Sequence, residues 1–190
     1  MGPEIRQDHL LVGEDQGLAV NPRLTTDFFR RDVLDVAPEL LGKLLVRRFA
    51  DGRQMSGRIT EVEAYRGAED LACHASKGRT ERNRIMFDPG GCIYMYLIYG
   101  MYWMLNIVTG EEAVPQAVLL RGLDSVEGPG RLSREFEIGR DFYGESLVDS
   151  ERLWVEDHPG VVKVEGSPRI GIAYAGEYWA SRPWRFIKVN

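Results

Sequence analysis

Along most of the chain apolar residues recur every second position, which predicts strands. Lys43 to Phe49 alternates or runs apolar, Asp51-Gly52 supplies a hairpin turn, and Arg53 to Tyr65 resumes the alternation. Within that second stretch the period places Ile59, Glu61, Glu63 and Tyr65 on one face against Thr60 and Val62 on the other. Cys92 to Val108 is rich in aromatic and β-branched residues and predicts two strands, with Tyr99-Gly100-Met101-Tyr102 as the bend between them. Ala117–Leu123, Leu153–Glu156, Arg169–Tyr174 and Trp184–Val189 read as further strands. Helical signals are short. Thr25-Thr26-Asp27 before Phe28-Phe29 predicts an N-cap and one turn, Ala37 to Gly42 a helix closed by glycine, and Thr80 with Asn83–Phe87 another turn. Arg131–Ile138 reads as a helix after Gly128-Pro129-Gly130, and Arg66–Gly78 as a polar loop. These elements predict an α+β fold: one domain over residues 21–190, with a mostly antiparallel curved sheet, short flanking helices and a protruding hairpin. Residues 1–20 read as a loose tail.

Composition narrows the function classes. A chain of 190 residues with 44% hydrophobic and 28% charged residues can bury one full core and needs no second domain. No apolar run approaches the ~18 residues of a membrane span. The acidic start lacks the basic and apolar regions of a secretory leader. The expected compartment is a reducing cytoplasm, beside the nucleoid in a bacterium, or the nucleus in a eukaryote; secretion is not expected. Only Cys73 and Cys92 are present, without a CxxC or a Cys/His cluster, so neither a disulfide framework nor a metal site is expected. The net charge of −5 argues against a protein that coats nucleic acid. Against that, Lys77, Arg79, Arg82 and Arg84 place four positive charges and one negative within eight residues, a patch able to hold a few phosphates.

The chemistry centres on Glu63 and Tyr65. Two residues apart on a strand, they put a carboxylate beside an aromatic face. That pairing suits a flat ring held by stacking while the carboxylate works on the bond that attaches it, as with an extruded nucleobase. Hydrolysis of an N-glycosidic bond requires a base to orient and deprotonate water, and an ionised Glu can also stabilise the charge growing on the sugar. A carboxylate at a strand end is more often a solvated charge or a salt-bridge partner. Tyr94, Tyr96, Tyr99 and Tyr102 surround Gly100, and four phenol hydroxyls are hard to bury without partners. An exposed Tyr99 at a glycine bend fits a wedge that fills the gap left by an extruded nucleotide, and Tyr96 fits a stacking platform. Arg121, on an apolar strand, must meet a carboxylate, and Glu63 is its natural partner. His74 has no second ligand at metal-binding spacing. No GxSxG, HExxH, GxGxxG or phosphate-loop motif occurs.

Arg58-Ile59-Thr60-Glu61-Val62-Glu63-Ala64-Tyr65, His74, Arg82–Phe87, Tyr94–Asn106, Leu119-Leu120-Arg121, Gly128-Pro129-Gly130 and Arg169-Ile170-Gly171-Ile172 together resemble the alkyladenine (3-methyladenine) DNA glycosylase family. The resemblance runs in unbroken order from about Thr26 to Val189. It implies a monofunctional base-excision enzyme that flips alkylated or deaminated purines out of duplex DNA, with no metal, nicotinamide or Schiff-base cofactor. By position, Glu63 would be the general base acting on water and Arg121 would hold that carboxylate. Tyr65, His74 and Tyr96 would form the base pocket, and Asn106 would guard its floor against the amine of guanine. Tyr99 would be the wedge, with Met101, Tyr102 and the cations at 77, 79, 82 and 84 along the DNA.

Two other readings keep the same residues. A catalytically silent nucleic-acid module would use the Tyr and Arg groups for stacking and phosphate contact. A nucleosidase would act on free nucleosides and have no use for Tyr99 or the basic patch. A protein that lays one face on a duplex is expected to be a monomer.

Overall fold

A computed structural model describes residues 21–189; the tail expected over residues 1–20 lies outside the described residues. In chain order the elements are α1 (Thr26–Phe29), α2 (Val33–Leu40), β1 (Leu44–Arg48), β2 (Gln54–Tyr65), β3 (Ile93–Ile98), β4 (Tyr102–Thr109), β5 (Gln116–Leu123), β6 (Val126–Glu127), α3 (Pro129–Glu135), β7 (Leu153–Glu156), β8 (Lys163–Ser167), α4 (Glu177–Ala180) and β9 (Arg185–Val189). Single 3-10 turns lie at His74–Lys77, Arg84–Phe87, Arg140–Phe142 and Ala173–Ala175. The strands form one open sheet in the order β3-β4-β5-β2-β1-β7, and β9 joins β2, β8 joins β9 and β6 joins β5. Every strand pair in it is antiparallel. The α+β fold and its antiparallel sheet match the expectation.

β2 is the strand around which the sheet is organised. Residues 54–58 pair with β1, and the stretch from Ile59 to Tyr65 pairs with β5 while Glu61–Glu63 also pair with β9. Register shifts at Ile59/Glu61 and Glu61/Val62 interrupt the ladder. An extra residue in a ladder re-aims the side chains that follow it, and this corrects the strict alternation expected from sequence. Ile59 joins Val62 and Ala64 in the main core, leaving Glu63 and Tyr65 on the opposite face.

α2 packs on β2 and β5, and α3 on β4 and β5. Val33, Val36, Leu40, Leu132 and Phe136 meet Val62, Leu105, Ile107, Val118 and Leu120 there with almost no solvent exposure. By the period of two, Tyr94, Val108 and Ala117 leave the other face, where they form a smaller cluster with Cys73, Ala75, Ile85 and Met86 from the long connection after β2. The molecule therefore has an oily face under helices and a second face roofed by a loop.

Three expectations change. The second helix starts earlier, at Val33, because the Asp32 side chain caps it by accepting from the Leu34 N–H at 2.9 Å. α3 starts at Pro129 rather than Arg131, with proline in its first turn where no N–H is needed. Arg169–Tyr174 is not a strand: Gly171 has φ 75°, the Ile170 N–H goes to a side chain, and Ala173–Ala175 is a 3-10 turn. The strand lies just before it, in the polar, exposed Lys163–Ser167, whose sequence carries no apolar alternation.

Candidate active site

The central carboxylate is Glu63, which has 0% solvent exposure. Burying a charge is costly unless its lone pairs are met. Three groups meet them. The Tyr65 hydroxyl donates to Oε2 at 2.8 Å, the Ile170 backbone N–H donates to Oε1 at 2.7 Å, and an Arg121 guanidinium nitrogen lies 3.4 Å from Oε1. The strand period brings Glu63 and Tyr65 to one face as the sequence predicts. Arg121 is only partly placed as expected: its Nε donates to Glu61 at 2.8 Å, and Glu63 is its longer contact. Glu61 also accepts from Arg185 at 3.1 Å, so two acids and two arginines form one network along the edge of β2.

Ile170 is aimed by its neighbour. Arg169 is buried and donates to both oxygens of the equally buried Asp70, at 2.5 and 2.9 Å, and to the Ala64 carbonyl at 2.8 Å. Its guanidinium lies 4.8 Å from the Tyr65 ring centroid and 5.1 Å from that of Trp184. Asp70 in turn accepts from the N–H groups of Arg66 and Ala72, at 3.1 and 3.0 Å. One buried ion pair thus ties the loop after β2 to the segment that donates to Glu63, and it presses on the ring that also donates to Glu63.

Beside this network is a cavity of about 40 Å³ lined by Tyr65, Ala72, Cys73, His74, Met86, Tyr94, Tyr96, Asn106, Ala117 and Tyr174. All four residues expected to bind a base, Tyr65, His74, Tyr96 and Asn106, are among them. Glu63 is not among them: the Tyr65 hydroxyl and the Ile170 N–H cover its carboxylate. The volume suits a few waters and is below that of a purine ring. The His74 and Tyr96 rings lie 4.6 Å apart at 73°, and Tyr94 and Tyr96 5.6 Å apart at 37°, so the rings are packed against one another. A ring of purine size would fit only if these walls parted.

The cavity's electrostatics are those of a neutral aromatic box. Burial, then the Arg82 charge, pulls the His74 pKa down to about 4, so its imidazole is uncharged at neutral pH although part of the ring reaches solvent. His74 Nδ1 pairs with the Tyr94 hydroxyl at 2.8 Å. Burial also raises the phenols of Tyr65, Tyr94 and Tyr96 and pushes the Cys73 thiol up to about 11, so all stay protonated. Asn106 spends its amide N–H groups on the carbonyls of Tyr94 and Met104, at 3.2 and 3.1 Å, which leaves its oxygen as the unpaired end. Asn83, which sequence reasoning passed over, pins the His74 loop by donating to the carbonyls of His74 and Gly78 at 2.9 Å each. Tyr174, Tyr94 and Cys73 were likewise missed as wall residues. Only Tyr94 carried a signal, the two-residue period it shares with Tyr96.

The hairpin between β3 and β4 stands away from the sheet. Tyr99 and Gly100 have φ of 52° and 68°, and the Met101 N–H closes the turn on the Ile98 carbonyl at 3.1 Å. A tyrosine in the left-handed region costs about 1 kcal/mol or more, and its side chain is 85% exposed. Met101 and Tyr102 are exposed beside it. Tyr102 also explains the Gly-Pro-Gly motif: a Cβ on Gly130 would come within 2.8 Å of the Tyr102 ring, so the glycine at the start of α3 seats the base of the hairpin. Lys77, Arg79, Arg82 and Arg84 are all exposed, and the Arg82 guanidinium lies 5.4 Å from the Tyr96 ring centroid. Among the described residues no group of three His, Cys, Asp or Glu side chains is placed to hold a metal ion, and no helix is long and apolar enough to cross a membrane.

Comparison with known proteins identifies the family. The model of the methylpurine-DNA glycosylase (MPG) family matches residues 27–128 and 124–190. A protein of Methanocella arvoryzae that bears the provisional name 3-methyladenine DNA glycosylase is 46% identical over 189 residues, covering 89% of this chain and 94% of its own. Similarly named proteins of Legionella pneumophila (strain Corby) and Chlorobaculum parvum are 44% and 40% identical, covering 88% and 86% of this chain and 96% and 86% of theirs. With an aromatic cavity beside a buried glutamate, a projecting tyrosine hairpin and a family match over nearly all described residues, the chain belongs to the methylpurine-DNA glycosylase family.

Proposed function

We propose that the protein removes alkylated purines, 3-methyladenine and 7-methylguanine in the first place and deaminated purines such as hypoxanthine in the second, from duplex DNA by hydrolysing the N-glycosidic bond. The observation that carries this reading is the Tyr65 side chain, whose ring lines the cavity while its hydroxyl donates to Glu63 at 2.8 Å. A base stacked on that ring brings its sugar towards the carboxylate. Glu63, steadied by Arg121, orients and deprotonates a water that attacks C1′ of the deoxyribose, and the product is an abasic site.

The neutral lining favours a cationic leaving group. A purine methylated at N3 or N7 carries a positive charge; neutral His74 does not repel it, and the phenol faces of Tyr65 and Tyr96 attract it. Such a base departs without needing a proton. A neutral deaminated purine gains less from the same walls, which ranks it second. Tyr99, held outward by its turn, fills the space vacated in the duplex, and the cations at 77, 79, 82 and 84 hold phosphates.

The test is Glu63→Gln, assayed for purine release from methylated duplex DNA under single-turnover conditions with circular dichroism as the fold check. Removing a general base costs about 10² to 10⁴ in rate. A folded Glu63→Gln protein that releases methylated purine at the wild-type rate would end the proposal.

A further inference from the structure

Tyr96 also borders a second, larger concavity of about 650 Å³, whose walls include Arg82, Arg84, Trp103, Arg140 and Tyr143. These residues come from three separated segments: the loop into the Arg84–Phe87 turn with the first residue of that turn, strand β4, and the turn beginning at Arg140 with the residue that follows it. Tyr143 holds the assembly together. Its hydroxyl donates to the Arg82 carbonyl at 3.2 Å and accepts from the Ile85 N–H at 3.4 Å, so the basic loop is pinned against the groove.

The charge of this groove is not balanced from within. Arg82, Arg84 and Arg140 are all exposed, whereas the one carboxylate in the lining, Glu81, is 99% exposed and 3.7 Å from Arg84. Among the described residues neither Arg82 nor Arg140 has a side-chain hydrogen bond or an ion pair. A chain of net charge −5 that gathers three guanidiniums here pays their mutual repulsion unless an anion sits between them. The other walls are apolar: the aromatic Tyr96, Trp103 and Tyr143, with Met95 and Leu97. Trp103 and Tyr143 are half-buried, and Arg82 and Arg84 stack at 5.4 and 5.8 Å over Tyr96 and Tyr143. Guanidiniums alternating with π-faces match a nucleotide, which offers a phosphate and a flat base together.

We infer that this groove is a second nucleotide subsite that seats an unpaired nucleotide of DNA neighbouring the one in the cavity, its phosphate on Arg82, Arg84 and Arg140 and its base against Trp103. The two sites share Tyr96 as a common wall, so adjacent nucleotides of one strand can occupy both. The inference rests on the proposed function for the cavity, but it is read by binding rather than by base release.

The experiment is fluorescence anisotropy of the full chain with three lesion-free probes: a single-stranded oligonucleotide, its duplex, and a strand of the same length made of base-free spacers. Wild type is compared with Arg140→Ala and Arg84→Ala, whose side chains are exposed and outside the core. Each substitution is expected to weaken single-strand binding about three- to ten-fold and to flatten the slope of log affinity against log salt by about 0.7. The base-free strand is expected to bind about ten-fold or more weaker than the normal strand. Unchanged affinity and slope in Arg140→Ala overturn the inference. So does equal binding of the base-free and normal strands, which marks a phosphate track alone, or, in Arg140→Ala, an equal loss on duplex and single strand. A protein that releases no methylated purine yet keeps the arginine and base dependence would sink the hydrolysis and leave this subsite standing.

Discussion

The Arg169–Asp70 pair offers the sharpest test of how the site is held. Asp70→Asn keeps the side chain's size but removes the charge that faces Arg169, and it leaves one of the Arg66 and Ala72 N–H groups, which meet different carboxylate oxygens, opposite an amide NH2. Both side chains of the pair are at 0% exposure, so solvent cannot step in. Taking one partner from a buried pair leaves an uncompensated ion and costs about 3–5 kcal/mol. For a domain of this size that is a fall in Tm of roughly 10 °C, since 1 kcal/mol shifts it by about 2–4 °C. Arg169→Met made in the same background isolates the pair term. If the ion pair is the cause, the double variant loses less than the sum of the singles. The consequence for activity follows from the chain itself, because Arg169 lies over Tyr65 and precedes the Ile170 N–H that donates to Glu63. Single-turnover release at a temperature where Asp70→Asn is still folded should drop, and KM for DNA should move little. A loss of less than about 1 kcal/mol, measured by thermal and urea unfolding, would refute the argument that this pair holds the segment.

Two further outcomes are expected. Tyr99→Ala should leave stability within about 0.5 kcal/mol, as an exposed tip residue, while slowing release from duplex DNA more than from single strands; equal slowing on both would make Tyr99 a structural residue only. For His74 the folded pKa of about 4 lies below the ordinary 6.5, so the unfolded chain takes up the proton first. Its contribution to stability is therefore complete above about pH 6.5 and is lost as pH falls towards 4, and it is modest because the ring is partly exposed. Imidazole proton shifts against pH would show this directly, and a His74 midpoint near 6.5 would contradict the neutral box.

What was legible in the chain was what repeats locally. The period of two exposed β1 to β5, put Glu63 and Tyr65 on one face, and marked the tip at Tyr99, because strand geometry and turn chemistry are written in neighbouring residues. Nothing linked Arg169 to Asp70: they lie 99 positions apart, Asp70 beside Glu69 in a polar loop and Arg169 at the head of a stretch that reads as a strand. Arg140 and Trp103 become parts of one groove only when the fold assembles them. β8 was invisible because its residues are exposed and one of them is glycine. The basic patch was visible as composition, but its anchor, the Tyr143 hydroxyl, is about sixty positions away.

On the proposed mechanism, counting lone pairs on Glu63 limits where the attacking water would sit. Two carboxylate oxygens offer about four acceptor positions. Oε1 faces the Ile170 N–H and, less closely, Arg121; Oε2 takes the Tyr65 hydroxyl. One position on Oε2 is left, next to the hydroxyl of a ring that lines the cavity. A water there would touch the carboxylate and the incoming nucleotide together, whereas a water on Oε1 would have to displace a backbone donor set by a buried ion pair. The carboxylate's full burial is then not an obstacle to chemistry but a selection of one face for it. In the proposed reaction, displacing His74 and Tyr96 to admit a purine would open the cavity beside the Tyr65 hydroxyl, so a single movement of the walls would give access to the base and to the remaining lone pair.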